Sequence, residues 1–464
     1  MNEIDKLGDQ SDSISSFIQN LREKDDIPGI SVSVVDGEEV RYAKGFGMRD
    51  IANEEPATPQ TLYGIGSCTK SFTALAVLKL VEAGELELDD PVSDYIDYTL
   101  GESDNPITVE SLMTHSSGAP SDGALEVVLN KEAGYEKKDV DLQTMEDFYD
   151  FVNGADDEIT GPPGEEFFYY NSGFTLLGEL VATVSGEKFA DFIRQEILNP
   201  LDMERSSFSE QEVSNDPDHM TPYHVEDGDV EERPLFFHPV LEAPGGLYSS
   251  VEEMANYLLM HMNNGEYVGD QIVAPELLEK MHTGMIERSG GEYGYGWIVT
   301  DIFGEKLVNH DGNMNISSGY LGFTEDYGVA IGCNTKPPYY LDQIGMGILA
   351  ILMGREPQEL PYFALRNKLE RLVGKYRSYQ GVIQIDVSRD GGKLVISSER
   401  FPERDMFSGP LFAENQNPED LSFYHFDNSG EKEDVRFEEQ EDGSFDMYYG
   451  RWRLHQQEAS RGSK

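Results

Sequence analysis

The feature that most constrains this chain is Ser67-Cys68-Thr69-Lys70, set at the head of a long and nearly uncharged apolar run. The run from Ser71 to Val81 is built of good helix formers, and Gly84 follows just past its end, as a left-handed helix stop would. In a buried helix, residues three apart share a face, so the Lys70 amine comes within reach of the Ser67 hydroxyl. A lysine at its ordinary pKa of about 10.4 is a poor base, but an apolar wall lowers that value by several units. The pair then reads as a nucleophile with its base. The same spacing also suits a serine N-cap followed by a solvated lysine, so other segments must decide.

Two of them do. Residues 161–180 carry Tyr169-Tyr170-Asn171 between a Pro-Gly turn and a second apolar helix, and Val308-Asn309-His310-Asp311-Gly312 closes a short strand farther on. S-x-x-K, Y-x-N and an H-x-G box in this order resemble the serine β-lactamase and penicillin-binding-protein superfamily, most closely its class C, esterase and D-aminopeptidase branch. Ile107–Gly118 is similar to that family's I-T-x-x-x-L-L-T-H-x-S-G loop, Asn199–Met203 to its P-L-G-M turn, and Ala243–Ser250 to its A-G-G-L-x-S segment. The resemblance covers residues 25 to 350.

The resemblance implies an acyl-enzyme on Ser67, with Lys70 taking or relaying its proton. Tyr169 would be the second general acid and base, as a phenolate or hydrogen-bonded between Lys70 and the leaving group. Asn171 would orient Lys70 and hold a substrate amide, and the backbone N–H groups of Ser67 and Asn313 would form the oxyanion hole. Gly312 suits a strand that must approach substrate closely. Where relatives carry K-T-G, this chain has His310, and a histidine at about 6.5 is mostly neutral at pH 7. Asp311 is expected to raise that value if it faces the ring. The histidine favours the esterase or peptidase side over a β-lactamase. Glu165 and Glu166, though close to Tyr169, fall in a P-G-x-x-F turn and read as solvated carboxylates. The resulting expectation is a serine hydrolase of small amides or esters, either short peptides, including those with D-residues, or carboxylic esters. The alternatives are a penicillin-binding protein or β-lactamase, and a non-catalytic binding or assembly module of the same fold.

Acidic residues outnumber basic ones 88 to 35, a net charge of −53. At molar salt the Debye length falls to about 3 Å and such self-repulsion is screened, so the composition points to a halophile. So negative a body repels phosphates, which argues against nucleic acid as a partner. The charge is uneven: residues 361–464 hold 19 acidic and 15 basic residues, leaving 69 against 20 on residues 1–360. The pattern also changes there from helical to short alternating strands, at Tyr376–Tyr379, Val382–Val387, Lys393–Ser397, Leu421–Phe426, Asp434–Phe437 and Phe445–Tyr449. We therefore expect an α+β fold in two domains. Residues 1–360 would be an antiparallel sheet flanked by helices, with a helical lobe over residues 68–285. Residues 361–464 would be an antiparallel β-barrel of about eight strands, similar to the lipocalin-like domain that follows the hydrolase domain in some family members. Similar archaeal serine peptidases assemble into closed compartments through such domains, so a homo-oligomer through the barrel is expected. A near-balanced surface suggests a covered one, with Arg366, Arg371, Arg377, Arg400 and Arg404 as candidate contacts.

Residues 28–46 read as two strands joined by a tight Asp-Gly turn. Of the two cysteines, Cys68 reads as a small packed residue and Cys333 as core, and His115 as structural in a loop near the site. No H-E-x-x-H or C-x-x-C pair appears, so neither metal nor cofactor is expected. The first ten residues are polar and acidic, and no run approaches the roughly 20 apolar residues of a membrane span. That gives a cytoplasmic protein without a membrane partner, its ends mobile up to Asp12 and from Gln457.

Overall fold

The computed structural model describes residues 3–102, 104–121, 123–132, 140–226, 228–398, 408–415, 417, 419–427 and 429–457. The chain forms two compact units, Met1–Gly354 and Arg355–Lys464.

The first unit is organised by a ten-stranded antiparallel sheet. Its strands are β1 (Ile4–Asp5), β2 (Gly29–Val35), β3 (Val40–Asp50), β4 (Ile286–Arg288), β5 (Gly291–Tyr293), β6 (Ile298–Ile302), β7 (Glu305–Asn313), β8 (Ser318–Phe323) and β9 (Gly328–Cys333). They lie in the order β1-β3-β2-β9-β8-β7-β6-β5-β4, with Glu55–Pro56 pairing on β3. Every residue of β2, β8 and β9 is buried. Successive side chains point to opposite faces, so both faces of the sheet centre are covered. The helix α1 (Asp9–Lys24) packs on β3, α4 (Val251–Met262) on β2 and β9, and α5 (Asp342–Leu352) on β8 and β9.

Between the first and last strands of this sheet the chain builds a helical lobe around α2 (Thr69–Ala83) and α3 (Asn171–Ser185). Residues 69–78 of α2 are all buried, which is why the run carries almost no charge: a helix apolar all round belongs inside. Gly84 ends it in the left-handed conformation (φ 73°), its N–H capping Leu80 and Val81.

The strands β2 and β3 are joined by the tight turn Asp36–Glu39, which contains the expected Asp-Gly pair and closes through the Asp36 N–H and the Glu39 carbonyl. The Asp36 carboxylate accepts from the N–H groups of Glu38 and Glu39, and a bulge precedes the turn at Val34/Val35. One expectation is corrected: among the described residues before Asp12, β1 pairs with β3 and α1 begins at Asp9, so this stretch is not loose. The chain beyond Gln457, also expected to be mobile, lies outside the described residues. The units divide at 354/355, and the helix α6 (Pro361–Leu372) precedes the first strand of the second unit.

In the second unit, eight strands close a barrel: β10 (Gly374–Arg377), β11 (Gln384–Asp390), β12 (Lys393–Ser397), β13 (Gly409–Ala413), β14 (Ser422–Phe426), β15 (Lys432–Glu439), β16 (Phe445–Tyr449) and β17 (Trp452–Gln456). Pairing of β10 with β17 completes the ring and leaves no edge strand. Ile385, Leu394, Ile396, Leu411, Met447 and Leu454 fill its interior. Three of the arginines expected as contacts have partners within this unit. Arg366 pairs with Glu370, Arg371 with Glu439, and Arg377 donates to Gln384. Arg400 and Arg404 lie outside the described residues.

Candidate active site

Ser67 sits in the single 3-10 turn Gly66–Cys68 that feeds α2, and Lys70 lies in the first turn of that helix. The Lys70 side chain is fully buried, with Nζ 3.1 Å from Ser67 Oγ, 2.9 Å from Asn171 Oδ1 and 2.9 Å from the Pro244 carbonyl. Burial lowers its ammonium to about 7. The three contacts have a directional consequence. An amide Oδ1 and a backbone carbonyl can only accept, so they take two N–H bonds. In the neutral amine the third position is the lone pair, and it faces the Ser67 hydroxyl.

Tyr169 comes from the segment leading into α3, and Asn171 is that helix's first residue. The Tyr169 hydroxyl is hydrogen-bonded to Ser67, and its ring centroid lies 4.9 Å from Lys70 Nζ. Burial drives its pKa upward, because nothing around it stabilises the anion enough to offset the lost hydration. Burial thus favours the neutral phenol over the phenolate in the resting site.

His310, on β7, is also corrected. Asp311 contributes only a backbone carbonyl, 2.6 Å from Nδ1, and burial outweighs it, lowering the imidazole to about 3. Nδ1 donates to that carbonyl, so Nε2 accepts from the Tyr293 hydroxyl at 3.0 Å. The ring is neutral and both nitrogens are occupied.

Gly312 lies where β7 meets the Ser67 turn. A Cβ there would fall 2.0 Å from the Ile65 carbonyl and 2.5 Å from Ser67 N, and one on Gly66 (φ 55°) would fall 2.4 Å from Asn313 N. Two glycines thus let the backbones at Ser67 and Asn313 converge.

Cys68 is buried with Sγ against the His310 carbonyl, 3.2 Å away. His115 is buried in the left-handed region (φ 58°) and accepts the Tyr170 N–H on Nδ1, so it holds the backbone beside Tyr169. Glu165 and Glu166 are exposed.

Ser67, Tyr169, His310, Asp311 and Asn313 line one cavity of about 590 Å³. Sequence reading missed four participants: Pro244, Arg288, Tyr293 and Asp342. Pro244 stands inside the quoted Ala243–Ser250 segment, but only the fold shows that its carbonyl faces Lys70. The other three reach the cavity from β4, β5 and the start of α5. Among the described residues no cluster of three or more His, Cys, Asp or Glu is arranged to hold a metal, and no helix is long and apolar enough to cross a membrane.

Residues 14–349 match the family described as Beta-lactamase. The chain belongs to the β-lactamase family. Residues 357–455 match a second family, the Pab87 octamerisation domain. Similarity to the octameric penicillin-binding protein homologue from Pyrococcus abyssi extends over 96% of this chain and 99% of that one, at 37% identity and a TM-score of 0.89. Protein flp of Staphylococcus aureus (strain MW2), a curated relative, is 27% identical over 71% of this chain. The chain spans 64% of that relative's length. A class C β-lactamase shares the β-lactamase fold at 20% identity and a TM-score of 0.61, over 74% of this chain and 96% of its own.

Proposed function

We propose that this protein is a serine hydrolase that forms an acyl-enzyme on Ser67 and cleaves small amides or esters: short peptides, including those with D-residues, or carboxylic esters. The observation that carries this reading is the acceptor shell of Lys70, which leaves the lone pair of the neutral amine facing the Ser67 hydroxyl. Lys70 takes the hydroxyl proton as Oγ attacks the carbonyl carbon. The negative oxygen that develops is met by the N–H groups of Ser67 and Asn313, held together by the Gly66–Gly312 contact. Tyr169, as the neutral phenol, gives its proton to the departing amine or alkoxide and recovers one from Lys70. In deacylation the same groups run in reverse, with water in place of the leaving group. Asn171 fixes Lys70 through Oδ1, leaving its N–H₂ for a substrate carbonyl. His310 acts as a positioning residue: neutral and doubly bonded, it fixes the Tyr293 hydroxyl beside the site. The absence of a lysine cation at this position favours esterase or peptidase over lactamase chemistry.

The match of residues 357–455 to an octamerisation domain and the octameric homologue support a homo-oligomer built through the barrel.

Intact-protein mass spectrometry at high KCl with a fluorophosphonate, p-nitrophenyl acetate, a D-alanyl p-nitroanilide and a penicillin tests the reading. Labelling or turnover on the ester or anilide that Ser67→Ala abolishes is the expected result, and Tyr169→Phe should lower turnover by about a thousandfold. A stable penicilloyl adduct would instead favour a penicillin-binding protein. No label on a folded chain would leave a non-catalytic module.

A further inference from the structure

Tyr169 carries the leaving-group chemistry described above, and a residue with no part in that chemistry sets its position. His115 follows the short helix Val109–Met113 and stands in the left-handed region (φ 58°). Its N–H donates to the Leu112 carbonyl at 3.3 Å, and the Ser116 N–H donates to the Ser111 carbonyl at 2.8 Å. That pair of bonds closes a helix at a position where glycine is the usual residue. A side chain there costs conformational energy, and this one is also fully buried. Its Nδ1 accepts the Tyr170 N–H at 3.0 Å, so the ring proton is on Nε2, which has no hydrogen-bond partner among the described residues. Three unfavourable features thus meet in one residue, a combination that marks functional positions more than packing ones.

The contacts of His115 show what offsets them. Its backbone carbonyl accepts the Phe168 N–H at 2.8 Å, and its Nδ1 accepts the N–H of Tyr170, the N-cap of α3. The chain is therefore held on both sides of Tyr169. The imidazole also lies against the phenol itself, with ring centroids 4.2 Å apart, and against the rings of Tyr293 at 4.7 Å and Phe174 at 5.0 Å. A glycine at 115 would keep the carbonyl bond and ease the backbone, but would lose both the Nδ1 bond and the ring behind the phenol. A catalytic group displaced by about 1 Å loses about a hundredfold in rate, so a phenol fixed from three directions has kinetic value.

We propose that His115 is a positioning residue for Tyr169, fixing the phenol where its proton can pass to the leaving group. The proposal rests on the acyl-enzyme reading of Ser67 and adds to it the residue that makes Tyr169 an effective acid. In the step concerned, the Tyr169 O–H proton moves to the departing oxygen or nitrogen as its bond to the carbonyl carbon breaks, and the phenolate takes a proton from Lys70. Loss of His115 should therefore be felt in proportion to the leaving group's need for that proton.

For the test, the full chain at high KCl is given p-nitrophenyl, phenyl and benzyl acetate, which share one acyl group and differ in how readily the leaving oxygen departs unprotonated. The readout is kcat/KM for the p-nitrophenyl ester over that for each of the other two, a ratio in which losses of folded protein cancel. Fluorophosphonate labelling of Ser67 and the variant Tyr169→Phe run alongside. We expect the ratio against the benzyl ester to rise about tenfold or more in His115→Gly, and the ratio against the phenyl ester to rise less. His115→Asn, which tolerates left-handed backbone and offers Oδ1 to the Tyr170 N–H, should return both part of the way. An equal loss on all three esters overturns the proposal, as does native behaviour in His115→Gly or an asparagine variant no better than the glycine one. If Tyr169→Phe shifts the ratios and His115→Gly does not, the proposal alone fails; if neither shifts them, Tyr169 is not the leaving-group acid and the proposal falls with that role. If Ser67 does not label and no ester turns over, the acyl-enzyme reading itself fails and takes the proposal with it.

Discussion

At the scale of single residues, the site depends on what burial does to charge. In the proposed mechanism Lys70 acts as a base only when neutral, and its ammonium titrates near 7 because the helix that carries it is closed off from water. Turnover of a neutral ester such as p-nitrophenyl acetate should therefore rise with pH as Lys70 loses its proton. It should level off above about 8, with a single-proton limb centred near 7 in the kcat/KM profile. A limb centred near 10 would mean that the lysine is solvated during the reaction. The sequence made this group legible because helix geometry alone brings positions 67 and 70 together, and Tyr169 and Asn171 were marked by a short motif. Tyr293 and Asp342 left no such trace. Each is an ordinary residue in its local segment, and only the stacking of β5, β7 and α5 brings them to Ser67.

Among elements, the decisive contact is the one between β7 and the 3-10 turn. Two backbones approach so closely that neither Gly66 nor Gly312 can carry a side chain. Gly312→Ala should push the strand away from Ser67 and misplace one oxyanion donor. The expected loss is about a hundredfold in kcat, with retained secondary structure by circular dichroism. Near-native turnover would show that the donors lie elsewhere. The elements themselves differ in how plainly the sequence announces them. The strands β8 and β9 are apolar runs with glycine punctuation, buried throughout, a pattern that reads as a strand directly. Barrel strands β13 and β17 do not read so. Gly409-Pro410-Leu411-Phe412-Ala413 opens on turn formers, and Trp452–Gln456 is a five-residue segment that buries only Leu454, so neither is long or apolar enough to stand out in the sequence. Both are strands because their neighbours need partners to close the ring, a demand that arises from the whole barrel rather than from five residues.

For the whole molecule, charge is the governing quantity. With 53 more negative than positive charges, the folded chain is expected to gain stability steadily from KCl, through screening first and hydration of the carboxylate surface at higher concentration. The thermal midpoint should climb by many degrees between about 0.1 and 3 M KCl, and full stability in salt-free buffer would contradict a halophilic origin. Composition made this expectation visible without any structure, whereas a count cannot tell that Arg366 and Arg371 have carboxylates within their own unit. A last consequence follows from the two thiols. Cys68, in the 3-10 turn that carries Ser67, and Cys333, at the end of the central strand β9, are both wholly enclosed, and burial holds their sulfurs in the unreactive protonated form. The native chain is thus silent to a thiol-specific dye, and the rate at which colour appears reads out how often the catalytic body opens. The protein carries its own unfolding clock, which can be timed in brine where calorimetry and fluorescence are hardest to interpret.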